Sequence, residues 1–263
     1  MTRRSLRAPV ALAAGLAVAF GPVTGAALAD PPAASALAFD RSLPLQGVQN
    51  ARDIGGYRTI GGQTVRTGLV YRTGQLNNAT PADLAELSSR QVRVVDDLRT
   101  AYERAIGPDK VPAGATANWD DVIGQAPPEV LISTLTGGDS LYRAFITAPG
   151  ASQAFSSVLR DIIDTDSAVL FHCTAGKDRT GWTAAVLLTL LGVDRDTVSQ
   201  DYLLSNQYRN AAPGDTLNGV QQSWLDAAFD QANQTYGSFD NYVRQGLRLS
   251  DTDIVALRTK LLA

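Results

Sequence analysis

The chain has 263 residues, with 23 Lys and Arg against 26 Asp and Glu, one Cys and one His. A formal net charge of −3 argues against non-specific binding to nucleic acid or to an anionic membrane. A single Cys excludes an internal disulfide.

Residues 1–29 read as a secretory signal peptide. Arg3, Arg4 and Arg7 precede an apolar run at 10–20, and Ala27-Leu28-Ala29 offers a cleavage site. Gly15, Gly21, Pro22 and Gly25 interrupt the run, which argues against an anchor, and no later stretch approaches membrane-spanning length. Export with cleavage near Ala29 is therefore expected. It would remove three arginines and no acid, leaving 20 basic against 26 acidic residues. In an exported chain a lone thiol is no staple, and a chemical role gains weight.

Residues 30–45, rich in Ala and Pro, read as a flexible leader. Residues 46–263 form one domain, with ordered structure expected from about Val48. A strand is expected over 64–71. Thr80-Pro81-Ala82-Asp83 has the form of a helix cap with proline at the first helical position. The helix runs to about Ser89, with Leu84 and Leu87 inward. Residues 92–95 form a short strand with Asp96-Asp97-Leu98-Arg99 at its C-terminal end, where open parallel sheets bind ligands. Asp97 and Arg99 fit either a site or a structural ion pair. Residues 107–150 carry many Pro and Gly and read as a lid, or equally as surface loop. Residues 152–163 form a helix.

The next stretch organises the rest. An apolar strand at 168–171 leads into His172-Cys173-Thr174-Ala175-Gly176-Lys177-Asp178-Arg179-Thr180-Gly181, and an apolar helix at 182–191 leads out. Strand, tight loop and helix gather backbone N–H groups around an anion. A thiol within such a ring ionises readily. Arg179 can fork two hydrogen bonds onto a phosphate. Nucleophile, cradle and clamp in one loop point to phosphoryl transfer through a phosphocysteine. After the loop the chain reads as helical throughout. Gly192 ends the first helix, and another follows over 195–208. Asp196, Asp201 and Arg209 there read as a solvated face. Helices at 221–233 and 239–249 follow, and Ser250-Asp251-Thr252-Asp253 caps the last.

The loop resembles the Cys-x5-Arg signature of the protein tyrosine phosphatase superfamily. Asn50-Ala51-Arg52-Asp53-Ile54-Gly55-Gly56, Tyr71-Arg72-Thr73, Asp97-Leu98-Arg99, Asp201-Tyr202-Leu203-Leu204-Ser205-Asn206 and Tyr236-Gly237-Ser238 are similar to motifs of one bacterial branch. That branch includes the secreted mycobacterial virulence phosphatase and its Listeria relative. The resemblance runs from about Val48 to the end of the chain. It implies an α/β fold with a central, largely parallel sheet flanked by helices, a helical C-terminal part, and a metal-free reaction without cofactor.

On this reading Cys173 attacks phosphorus, and the backbone of Thr174, Ala175, Gly176, Lys177 and Asp178 binds the oxygens with Arg179. Thr180 serves the sulfur as a leaving group. His172 holds the loop through a backbone contact. No Trp-Pro-Asp acid motif is present, so the general acid is open between Asp97 and Asp178, with Asp120 and Asp121 as further candidates. The expected activity is hydrolysis of protein phosphotyrosine, extending to phosphoserine and phosphothreonine. The alternatives are a phosphoinositide or inositol phosphate phosphatase and a phospho-ligand binding module without turnover. Lys177 either meets a second phosphate or points to solvent. The expected partner is a phosphorylated protein or a phosphoinositide, with no nucleic acid and no membrane span.

Overall fold

The computed structural model describes residues 41–133 and 137–263. The expected signal peptide, and the leader up to residue 40, lie outside them.

A five-stranded sheet in the order β1-β2-β5-β3-β4 carries the fold. β1 (Arg52–Asp53) is antiparallel to β2 (Val70–Thr73). β2, β5 (Ala168–His172), β3 (Val92–Asp97) and β4 (Thr116–Trp119) run parallel. The central strand β5 is buried along its whole length, as expected of a continuous apolar run covered on both faces. Its alternation divides the core. Val169, Phe171 and Cys173 face the larger cluster, which the C-terminal helices complete. Ala168 and Leu170 face a smaller cluster under α1 (Pro81–Ser89).

Thr80 caps α1 as expected, accepting from Asp83 N–H, and the Asp83 carboxylate returns the bond. Asp83 also holds Gln46 N–H and Gly47 N–H at 2.7 and 2.8 Å. The ordered chain begins before Val48: Leu43 is buried and bonds to Ala51. The strand expected over 64–71 starts later, at Val70. Gly68 (φ 81°) bends the chain, and Thr64 and Val65 make only isolated bridges. One joins Val65 to Leu262.

Four more elements lie between β3 and β5 than the sequence reading places there. α2 (Ala101–Ile106) has no counterpart in that reading. The segment 107–150 contains β4, α3 (Pro128–Ser133) and α4 (Asp139–Thr147), and α4 buries Leu141, Tyr142, Ala144, Phe145 and Ile146. α5 (Ala151–Asp164) then leads to β5.

α6 (Arg179–Leu190) is buried on every face from Arg179 to Leu188, which makes it the central helix. Gly192 (φ 84°) ends it. α7 (Arg195–Tyr208) packs so closely that a Cβ at Gly181 would lie 3.0 Å from the Tyr202 ring. α8 (Gln222–Tyr236), α9 (Phe239–Asn241), a π-helical turn over Tyr242–Gly246 and α10 (Asp251–Leu261) complete the chain. None of the described helices is long and apolar enough to cross a membrane.

Candidate active site

The loop between β5 and α6 is shaped by what holds its carbonyls. Cys173 O lies 3.2 Å from His172 Nδ1, and Thr174 O accepts from Gln75 N–H at 3.2 Å. Ala175 O accepts from Asn50 Nδ2 and Arg209 Nη1, each at 3.3 Å. Gly176 O accepts from Asn50 Nδ2 at 2.8 Å and Arg72 Nη2 at 3.0 Å. Carbonyls drawn outward turn the N–H groups inward. Among the described residues, the N–H groups of Thr174 through Asp178 donate to no protein acceptor. They form an anion cradle at the N-terminus of α6. Gly176 (φ 67°) is required, because a Cβ would sit 2.5 Å from Thr73 O.

Cys173 opens the loop at 1% exposure. Burial pushes its thiol pKa up, but the Arg179 charge and the Thr180 hydroxyl and N–H outweigh it and bring the thiol below its ordinary value. Asp178 opposes that effect. The Thr180 hydroxyl is buried and makes no hydrogen bond elsewhere.

Arg179 is fixed by a residue that the sequence reading missed. Its Nη1 and Nη2 donate to Glu103 Oε2 and Oε1, both at 2.7 Å. Nη1 also reaches Leu98 O at 3.3 Å. Glu103 accepts from the Thr174 hydroxyl as well, and it closes the capping box of α2 with Thr100. Burial would raise its carboxyl, but Arg179 and Thr174 hold it well below the usual range. The contact to Glu103 takes the Nη1–Nη2 end of the guanidinium and leaves its Nε–Nη2 edge. The signal in the sequence was Thr-x-x-Glu directly after Asp97-Leu98-Arg99.

Asp97 and His172 sit side by side in the β3–β5 register, so their side chains share the face opposite to Cys173. Asp97 takes a fork from Arg99, with Nε at 2.9 Å and Nη2 at 2.8 Å. Arg99 also pairs with Asp109 at 2.6 Å, and His172 Nε2 lies 3.0 Å from Asp109. Burial alone would lower the imidazole pKa, but Asp109 raises it above the ordinary value. This network braces the loop from behind.

Lys177 and Asp178 are both buried. Lys177 Nζ is 3.1 Å from each Asp178 oxygen and 5.4 Å from the centre of the Trp224 ring on α8. Tyr142 on α4 donates to Asp178 Oδ1 at 3.0 Å. Lys177 therefore neither points to solvent nor stands free for a second phosphate.

A family model described as the tyrosine phosphatase family matches residues 43–263. The chain belongs to the tyrosine phosphatase family. A provisionally named tyrosine-protein phosphatase of Cupriavidus necator is 33% identical over 259 residues, covering 88% of this chain and 92% of that protein. The triple specificity protein phosphatase PtpB of Mycobacterium tuberculosis is 29% identical, covering 78% of this chain and 92% of the relative. A tyrosine-protein phosphatase of Nostoc commune is 36% identical over 149 residues, covering 55% of this chain and 51% of that one.

The phosphatase loop rests on a buried ionic cluster in which Asp201 is central. The solvated face expected for Asp201 is wrong: it is 1% exposed. Arg72 Nη1 donates to it at 2.6 Å, Tyr57 at 3.0 Å and Arg52 Nε at 3.3 Å. Burial would raise the Asp201 pKa, but Arg52 and Arg72 bring it down to about 2. Arg209 was misread in the same way, since it reaches Ala175 O of the loop.

Among the described residues, two groups of side chains have metal-ligand composition. In Asp97, Asp109 and His172, the Arg99 guanidinium already occupies both carboxylates. In Asp96, Asp120 and Asp161, Asn118 Nδ2 bridges Asp96 and Asp161 at 3.2 and 2.7 Å. Burial pushes Asp96 up to about 9, so it holds a proton, and Asp120 up to about 6.

Proposed function

We propose that this phosphatase hydrolyses phosphotyrosine in proteins, extending to phosphoserine and phosphothreonine, through a phosphocysteine on Cys173. The observation that carries the reading is the ring of inward N–H groups beside a thiol of lowered pKa and an arginine with one edge unused. In the first step the Cys173 thiolate attacks phosphorus. The bond to the leaving oxygen breaks, and that oxygen takes a proton from Asp178. The loop N–H groups and Arg179 hold the equatorial oxygens as charge spreads onto them. In the second step water attacks phosphorus and gives a proton back to Asp178. The P–S bond breaks, and its electron pair returns to sulfur, which Thr180 and Arg179 stabilise. Asp97, forked to Arg99 on the other face, supports the loop in this scheme.

The triple specificity in the mycobacterial relative's name supports a range of phosphoesters as substrates here. The pairing of Lys177 with Asp178 and Trp224 favours phosphoproteins over phosphoinositides, because the loop cation that could meet a second phosphate is already engaged. We further propose export through residues 1–29. A panel of phosphotyrosine, phosphoserine and phosphothreonine peptides against phosphoinositides, compared by kcat/KM, tests the substrate reading. A preference of tenfold or more for phosphoinositides, about 1.4 kcal/mol, would reverse it.

A further inference from the structure

Asp178 is joined to two helices outside the loop by a chain of buried hydroxyls. Tyr142 on α4 donates to Asp178 Oδ1 at 3.0 Å. Tyr202 on α7 donates to the Tyr142 oxygen at 2.7 Å. Both tyrosines are fully buried, and Asp178 is 7% exposed. A buried hydroxyl without a partner is costly, and phenylalanine would fill the same space without that cost. Here both hydroxyls have partners, and the series ends on a carboxylate at the reacting centre.

We propose that Tyr142 is a positioning residue for Asp178, with Tyr202 fixing the direction of its hydroxyl. The proposal rests on the reading of Asp178 as the group that moves the proton. A phenol has one O–H and can turn it toward any acceptor. Tyr202 donates to the Tyr142 oxygen, so the Tyr142 proton is left to point at Asp178. Hydrogen bonds in series also polarise one another. Lys177 lies 3.1 Å from both carboxylate oxygens and Tyr142 donates to Oδ1 alone, so Oδ2 has the fewer donors and is where the exchanged proton belongs.

The titratable and charged groups facing Asp178 are Lys177 and Cys173 of the loop, Arg179 of α6, Tyr142 of α4 and Tyr202 of α7. α8 supplies the uncharged Trp224 ring above Lys177. A donor on Oδ1 fixes the carboxyl in one orientation toward the leaving oxygen, and removing it lets the group turn away. The loss then appears as a lower rate that depends on Asp178 being present.

The experiment measures kcat/KM for an aryl phosphate against pH, on the full chain, for wild type, Tyr142→Phe, Tyr202→Phe, Asp178→Asn and the Tyr142→Phe/Asp178→Asn double variant. Tyr142→Phe is expected to lower kcat/KM at its optimum by about tenfold and to leave the ascending thiol limb in place. Tyr202→Phe should lower it by less. Asp178→Asn should abolish the descending limb, and adding Tyr142→Phe should then cost less than about twofold. An unchanged kcat/KM in Tyr142→Phe, an equal loss with and without Asp178, or a descending limb that survives Asp178→Asn would overturn the proposal. Circular dichroism and phosphate binding check the fold, and if Tyr142→Phe does not fold, Tyr202→Phe decides by the same outcomes. Absence of aryl phosphate turnover in wild type would instead overturn the proposed function.

Discussion

Glu103 places a negative charge against the arginine that, in the proposed mechanism, binds a dianion. The cost is accepted because the same carboxylate sets the guanidinium plane. Its Oε2 closes the cap of its own helix while holding Arg179, so it is built into α2. Glu103→Gln keeps the shape but loses one acceptor of the fork. A small misplacement of a transition-state group can cost about a hundredfold. Glu103→Gln should therefore lower kcat by about that factor and change KM less. Steady-state kinetics on an aryl phosphate checks it. An unchanged or higher kcat with a lower KM would mean that Glu103 blocks the cradle. Cys173 and Arg179 were legible because local spacing carries their chemistry. Glu103 was not, because it meets Arg179 across 76 positions, and only its capping pattern is local.

At the scale of elements, the loop keeps its shape because β1, β2 and α7 grip it from behind. Arg52 on β1 and Arg72 on β2 converge on Asp201 of α7, and all three are buried. Breaking a buried ion pair leaves an unpaired charge and costs about 3–5 kcal/mol. Asp201→Asn should lose stability of that order near neutral pH. The folded pKa of Asp201, about 2, lies below the unfolded value of about 3.9. Its contribution is therefore full above about pH 4 and is lost as the pH falls through about 2. Urea unfolding of wild type should weaken across that window, and Asp201→Asn should lack this part of the pH dependence. Equal pH dependence in both proteins would count against the cluster. The sequence put Asp201 on a polar helix face. Its partners lie 149 and 129 positions away, so nothing near Asp201 could show that two guanidiniums would bury it. The cap of α1 and the bounds of α7 were readable, since capping residues and helical period are local signals. The strand over 64–71 was misplaced because β-branched residues were read across Gly68, where the chain bends.

For the whole molecule, the alternation of strands and helices up to the loop and the helical run beyond it made an α/β fold legible before any coordinates. The closure of the chain was not. Thr64 and Ala263 exchange both backbone hydrogen bonds at 2.9 Å, and Leu261 and Leu262 are buried in the larger core. Residues 261–263 therefore pin the segment at 64–66 against the larger core. Removing residues 261–263 takes away two buried leucines, and a leucine truncated in a core costs about 2–5 kcal/mol. In a domain of this size the melting temperature should fall by about 10 °C or more. Calorimetry that found no change would mean that the chain end is only loosely attached.

The central claim is that Cys173 carries the phosphoryl group during turnover. Its most direct test is mass spectrometry of enzyme quenched in acid while hydrolysing an aryl phosphate. The predicted result is a phosphoryl group on Cys173, absent from Cys173→Ser, which should bind phosphate and not turn over. A phosphoryl group on another residue, or turnover by Cys173→Ser, would contradict it.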